Sequence, residues 1–165
     1  MLTERKPAGC LRLLLRAPVA LHRLGLGWLL GQRFLLLSHV GRKTGKTHQA
    51  IVEVMRHDLD SDSYIVASGR GERSDWLRSV QRTAEVALAV GRRKAPARAV
   101  RLTREQAAAE LWSYARRQPR AFAELSRLLA GRSIPADEQA CQDGAGTIPV
   151  VALHVQPQGR GVSAA

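Results

Sequence analysis

The segment from His48 to Arg56 alternates, with Ala50, Val52 and Val54 on one side and Ile51, Glu53 and Met55 on the other. A two-residue period is the signature of a strand and excludes an amphipathic helix there. Phe34 to Val40 before it is a short apolar run, read as a buried strand, and Gly41 to Lys46 is the turn between the two. Further strands follow at Tyr64–Ala67, Val86–Val90, Ala95–Leu102 and Ile148–Val155. The connections are too short for repeated βαβ units, so a doubly wound sheet is excluded. A small α+β barrel is the expected fold.

Helices punctuate this pattern. Ser74 is a credible N-cap for a short helix through Gln81, and Thr103 with Gln106 forms a capping-box signature. The second helix runs past Trp112 and Tyr114, breaks at Pro119 and resumes to about Ala130. Gly131 to Gly146 is polar and reads as a loop, and the tail after Gln156 as frayed. Residues 9–31 carry Leu11, Leu14, Leu15 and Leu21 on one face, with Arg12, Arg16 and Arg23 elsewhere. This is an amphipathic segment that covers one end of a barrel, and its basic face would also suit an anionic lipid surface. The arginines interrupt the apolar run, so neither a signal peptide nor a spanning helix is expected. With 165 residues the chain suits a single domain over 34–156, preceded by a helical segment (1–33) and followed by the tail (157–165).

The net charge of +12 calls for an anionic partner. Nucleic acid is disfavoured, because only 4% of residues are aromatic and no reader motif is present. Cys10 and Cys141 form no paired motif, the five histidines show no metal-ligand spacing, and an intracellular, reducing compartment is the default. The turn Gly41-Arg42-Lys43-Thr44-Gly45-Lys46-Thr47 is one residue short of a phosphate-binding Walker loop and leads into a strand instead of a helix. Nucleotide triphosphatase chemistry is therefore rejected. What remains is either a solvated basic hairpin or an anion cradle built from two glycines, a hydroxyl and three cations. A second candidate is Ser68-Gly69-Arg70-Gly71 running into Asp75-Trp76, where a strand end, a glycine loop and a helix start meet. Trp76 either stacks on a planar ligand or packs in the core.

Several of these segments resemble, in order and spacing, the deazaflavin-dependent nitroreductase family. They are Leu24-Gly25-Leu26-Gly27, Phe34-Leu35-Leu36-Leu37-Ser38 leading into Gly41–Lys46, Val66–Gly71 with Asp75-Trp76, and Thr147-Ile148-Pro149-Val150-Val151. The resemblance implies a split β-barrel of the flavin-binding type and a reduced deazaflavin, coenzyme F-420, as hydride donor. Flavin mononucleotide is the substitute cofactor, though its short tail would use fewer of the cations. By the same resemblance Arg42, Lys43, Thr44, Gly45 and Lys46 hold the phosphate and polyglutamate tail, and Ser38 lies near the same groove. Ser68, Gly69, Arg70 and Gly71 border the ring, Trp76 walls its pocket, and Ser68 is the polar group assigned to catalysis. The acceptor would be a quinone, a nitro compound or an activated alkene. A lipid-soluble quinone would fit peripheral membrane contact from the cytoplasmic side, and a homodimer is expected of many split barrels. The alternative is a non-catalytic flavin- or deazaflavin-binding or apolar-ligand protein on the same barrel. Its support is that Arg120, Ala121, Phe122 and Glu124 stand where nitro-reducing members carry tyrosines, and Leu77 follows the loop tryptophan where relatives often place another.

Overall fold

A computed structural model describes residues 32–68 and 70–157. The expected N-terminal amphipathic segment, with Leu24-Gly25-Leu26-Gly27, and all but the first residue of the tail lie outside the described residues. Six strands close into an antiparallel barrel in the order β1-β2-β3-β6-β5-β4. They are β1 (Phe34–Val40), β2 (Thr47–Asp58), β3 (Ser63–Ala67), β4 (Glu85–Val90), β5 (Arg93–Arg101) and β6 (Val150–Val155). Among the described residues four α-helices accompany them: α1 (Asp75–Arg82), α2 (Arg104–Arg117), α3 (Pro119–Ala130) and α4 (Glu138–Gly144). This is the α+β split-barrel architecture. Closure leaves no unpaired strand edge in the ring.

The strand period sorts side chains into two cores. Leu35, Leu37, Val52, Tyr64, Val66, Leu88, Val151 and Leu153 fill the barrel, together with Trp76, Leu77 and Val80 from α1. Met55, Ile65, Ala67, Val150 and Ala152 face outward and are covered by Leu111, Tyr114, Phe122 and Leu125 of α2 and α3. All five residues of β3 are buried, because that strand lies between the two layers. A register shift between Val54 and Arg56 marks a bulge in β2, beyond which the His57 ring stacks on Tyr64 at 4.0 Å.

The capping box at Thr103 and Gln106 is present, and Pro119 occupies the first turn of α3. Gly131 closes that helix at φ 67, a left-handed conformation that glycine adopts without strain. The expected loop from Gly131 to Gly146 is corrected by the structure, which places α4 inside it. Asp137 caps α4 by accepting from the Ala140 N–H at 2.7 Å, and Cys141 packs into the outer core. Burial pushes the Cys141 thiol up to about 11. Among the described residues no helix is long and apolar enough to cross a membrane.

Candidate functional site

β1 leaves the barrel at Val40, and Gly41 is buried at the exit. A methyl group there would sit 2.5 Å from Cδ2 of His48 and 2.9 Å from Oγ1 of Thr44, so only glycine lets these side chains close over the backbone. The turn is stapled from within. Gly41 N–H donates to the Lys46 carbonyl and Gly45 N–H to the Gly41 carbonyl, both at 2.8 Å. Thr44 Oγ1 accepts from Lys46 N–H at 3.3 Å and contacts His48 Nε2 at 3.1 Å. The glycine N–H groups, expected to cradle an anion, are thus spent on the turn itself. The exposed cations Lys43 and Lys46 and the half-buried Arg42 remain for a ligand.

The second motif is built around Ser68, which is fully buried. Its hydroxyl donates to the Gly71 carbonyl at 2.9 Å and pairs with the Ser74 hydroxyl at 2.6 Å, while its N–H donates to the Pro149 carbonyl at 3.0 Å. Gly71 has φ 56 and lies against the Thr147 carbonyl. Loop 68–74 is therefore clamped on the segment that precedes β6. Ser74 occupies the N-cap position of α1 but makes no side-chain cap bond, its hydroxyl being engaged by Ser68. Glu72 pairs with Arg101 of β5 and accepts Arg78 Nε at its carbonyl. Arg70 is exposed.

The two motifs meet where Arg42 Nη2 lies 3.6 Å from Asp75 Oδ1, at the first residue of α1. Of the residues singled out from sequence, Arg42 reaches the start of α1, with Lys43, Thr44, Gly45 and Lys46 following it in the same turn. Ser38 is half-buried on β1, with Gln49 Nε2 at 3.5 Å from its hydroxyl. Trp76, 7% exposed, packs in the barrel core, and Ser68 faces inward, so both build the fold around the loop. Gly69 lies outside the described residues.

Below the turn, His39 is 5% exposed and its Nδ1 is the single fully buried side-chain nitrogen or oxygen among the described residues with no hydrogen-bond partner. Its ring stacks on that of His48 with centroids 6.0 Å apart. Burial holds the His39 imidazole below its ordinary range, and neighbouring His48 adds to the effect.

Sequence reasoning did not single out a polar cluster at the other end of β1. Tyr114 Oη donates to Glu53 Oε1 at 2.7 Å, and Arg33 Nε donates to the same oxygen at 3.3 Å. Arg33 Nη2 reaches Glu124 Oε2 on α3 at 3.4 Å. Burial, reinforced by the bond to Glu53, raises the Tyr114 phenol well above its usual range. Glu53 pairs in register with Ala67, the residue before Ser68, so the cluster borders the start of the clamped loop. Two signals were legible: an acidic residue in an otherwise apolar strand face, and a tyrosine on the buried face of a helix that needs a partner for its hydroxyl. A groove of about 670 Å³ lined by Arg104, Trp112, Arg116 and Glu138 lies between α2 and α4 and holds none of the residues singled out from sequence.

Comparison with known proteins adds the family. A family model described as F420H(2)-dependent quinone reductase matches residues 21–135. A solved structure described as an F420-H2 dependent reductase, FDR-A, superposes with a TM-score of 0.52 at 17% identity, covering 75% of this chain and 96% of that one. A domain-swapped dimer superposes at 0.51 with 16% identity, covering 83% of this chain and 99% of that one. A protein of unknown function from Agrobacterium tumefaciens str. C58 gives 0.54 at 14% identity, with 95% of this chain and 60% of that one covered. These likenesses concern the fold. No curated protein matches the chain significantly in sequence.

Proposed function

The chain belongs to the F420H(2)-dependent quinone reductase family, and from that premise we propose that it reduces a quinone-type acceptor, with the anionic tail of the cofactor held at the Gly41–Lys46 turn. It is an oxidoreductase that uses coenzyme F-420. The contact between Arg42 and Asp75 carries the proposal, because it brings the cationic turn to the loop that opens α1. The residues present suit the cofactor. Three cations project from a self-stapled turn whose first glycine admits no side chain, and an unpartnered imidazole nitrogen lies beneath it. Phosphate and carboxylate groups are the anions such a donor set favours.

When bound, the reduced deazaflavin supplies hydride to the acceptor. The chain's residues bind, orient and shape the charge around that event. Ser68, Gly71 and Ser74 fix the loop between Ala67 and the start of α1, where Asp75 meets Arg42, so an elongated cofactor would meet the turn and this loop side by side. On the acceptor side, Arg33 is held between Glu53 and Glu124. Reduction of a carbonyl acceptor builds negative charge on oxygen, and a guanidinium already fixed by two carboxylates, with Tyr114 behind Glu53, would stabilise it. Solvent supplies the proton that completes the quinol. The test is reoxidation of the reduced deazaflavin by a naphthoquinone, followed by absorbance. Turnover that saturates in quinone and falls in the Lys43→Ala variant supports the assignment. Cofactor binding with no turnover on quinones, nitro compounds or alkenes would replace it with a binding role.

A further inference from the structure

Two histidines adjoin the cationic turn: His48 is used in its contact with Thr44, and His39 is left over when the turn's own hydrogen bonds are assigned. His39 follows Leu35 and Leu37 on the inward face of β1, at the end of the barrel, and its register partner on β2 is His48. His48 is exposed, reaches Thr44 in the turn and stacks on His39. Across from them α1 contributes Asp75, which holds Arg42. The charged groups that act on His39 are thus His48 from β2 and Asp75 from α1, with Arg42 beside the latter.

A buried nitrogen without a partner destabilises a fold, and a leucine at this inward position would remove the penalty. Its presence beneath a turn that leaves the Lys43 and Lys46 side chains exposed indicates a purpose outside folding. We propose that His39 completes the anion site as its proton-linked member: it is neutral in the free protein and takes up a proton when the phosphate and carboxylate groups of the cofactor bind at the turn, setting a further positive charge behind Arg42, Lys43 and Lys46. This rests on the reading of the turn as the cofactor's anion site.

The charge balance gives the sign. In the free protein, burial foremost and then His48 disfavour the imidazolium, outweighing the Val40 backbone and the Asp75 charge, which favour it. A bound anion favours it strongly, so the protonated ring is stabilised in the complex and the complex binds more protons than its parts. Affinity therefore rises as pH falls. An average uptake of about half a proton makes binding about tenfold tighter at about pH 6 than at about pH 8.

Isothermal titration of the full chain with coenzyme F-420, at neutral pH in two buffers of different ionisation enthalpy, reads the proton directly. The wild type is expected to take up a fraction of a proton. His39→Leu should lose the uptake, bind with pH-independent and weaker affinity, and unfold at the same or a higher temperature. Any proton that the cofactor itself exchanges is common to both proteins and cancels in their difference. His48→Gln should keep the uptake, and His39→Gln, neutral at every pH, supplies the same readout if the leucine variant does not fold. Uptake that survives in both His39 variants, or that disappears only with His48, overturns the proposal, as does a loss of stability in His39→Leu. Tight wild-type binding without uptake removes this inference alone, whereas no wild-type binding removes the anion-site reading beneath it.

Discussion

The guanidinium of Arg42 lies 3.6 Å from the carboxylate of Asp75, joining the turn after β1 to the first residue of α1. Asp75 is 87% exposed in its side chain, so the pair adds little to stability and its main effect is to orient Arg42. It also sets one negative charge among the cations that an anionic tail would meet. Asp75→Asn is expected to leave thermal unfolding unchanged and to tighten cofactor binding by about two- to fivefold at low salt, with the gain shrinking as salt is added. Fluorescence titration at two ionic strengths measures both effects.

Ser68 carries a buried hydroxyl shared between the Gly71 carbonyl and Ser74 Oγ. Ser68→Ala leaves these groups short of a partner and should cost about 1–3 kcal/mol of folding stability, read by denaturant unfolding. Turnover per folded molecule should change less than stability. A large loss of turnover with stability intact would instead return Ser68 to a direct role at the ring.

Arg33, between Glu53 and Glu124, is expected to act on the acceptor and not on cofactor affinity. Arg33→Gln should lower kcat/KM for a quinone about tenfold, equivalent to about 1.4 kcal/mol of transition-state stabilisation. The affinity for coenzyme F-420 should stay within about twofold, a ratio far below the tenfold that each 1.4 kcal/mol of binding would give. Equal loss in both would place Arg33 in cofactor binding.

Asp58 and Asp62 are both held down to about 2 from 3.8, Asp58 chiefly by its hydrogen bond from Arg56 and Asp62 by that from Arg93. A carboxylate depressed in the folded state contributes stability that is complete above its unfolded value and is lost as pH falls through its folded one. Stability should therefore fall between about pH 4 and pH 2. Replacing both aspartates with asparagine should flatten that limb of a pH-dependent unfolding series.

Much of the barrel was legible because its strands state their period: β2 alternates, and glycine-bearing turns bound β1 and β4. The capping box at Thr103 and the Pro119 break were equally local signals. Helix α4 was not, because seven residues with two buried positions give no apolar stripe, and only Asp137 marks its start. At the site, the spacing of Gly41–Lys46 and Ser68–Trp76 pointed to two motifs, but their meeting through Arg42 and Asp75 is tertiary. The sequence could not tell whether Ser68 and Trp76 face a ligand or the interior, since that depends on how loop 68–74 folds back on Thr147 and Pro149. The Arg33–Glu53–Tyr114–Glu124 cluster draws on β1's approach, β2, α2 and α3; local pattern marks Glu53 and Tyr114 singly, and only the tertiary fold brings the four together.

The most direct measurement is a fluorescence titration of the full chain with coenzyme F-420, alongside flavin mononucleotide, in wild type and in the Arg42→Ala and Lys43→Ala variants. Tight binding of the deazaflavin, weaker binding of the flavin, and about a tenfold loss in each variant are the expected results. Deazaflavin binding that is unchanged in both variants would contradict the placement of the anionic tail at the turn, and no binding in the wild type would contradict the central claim itself.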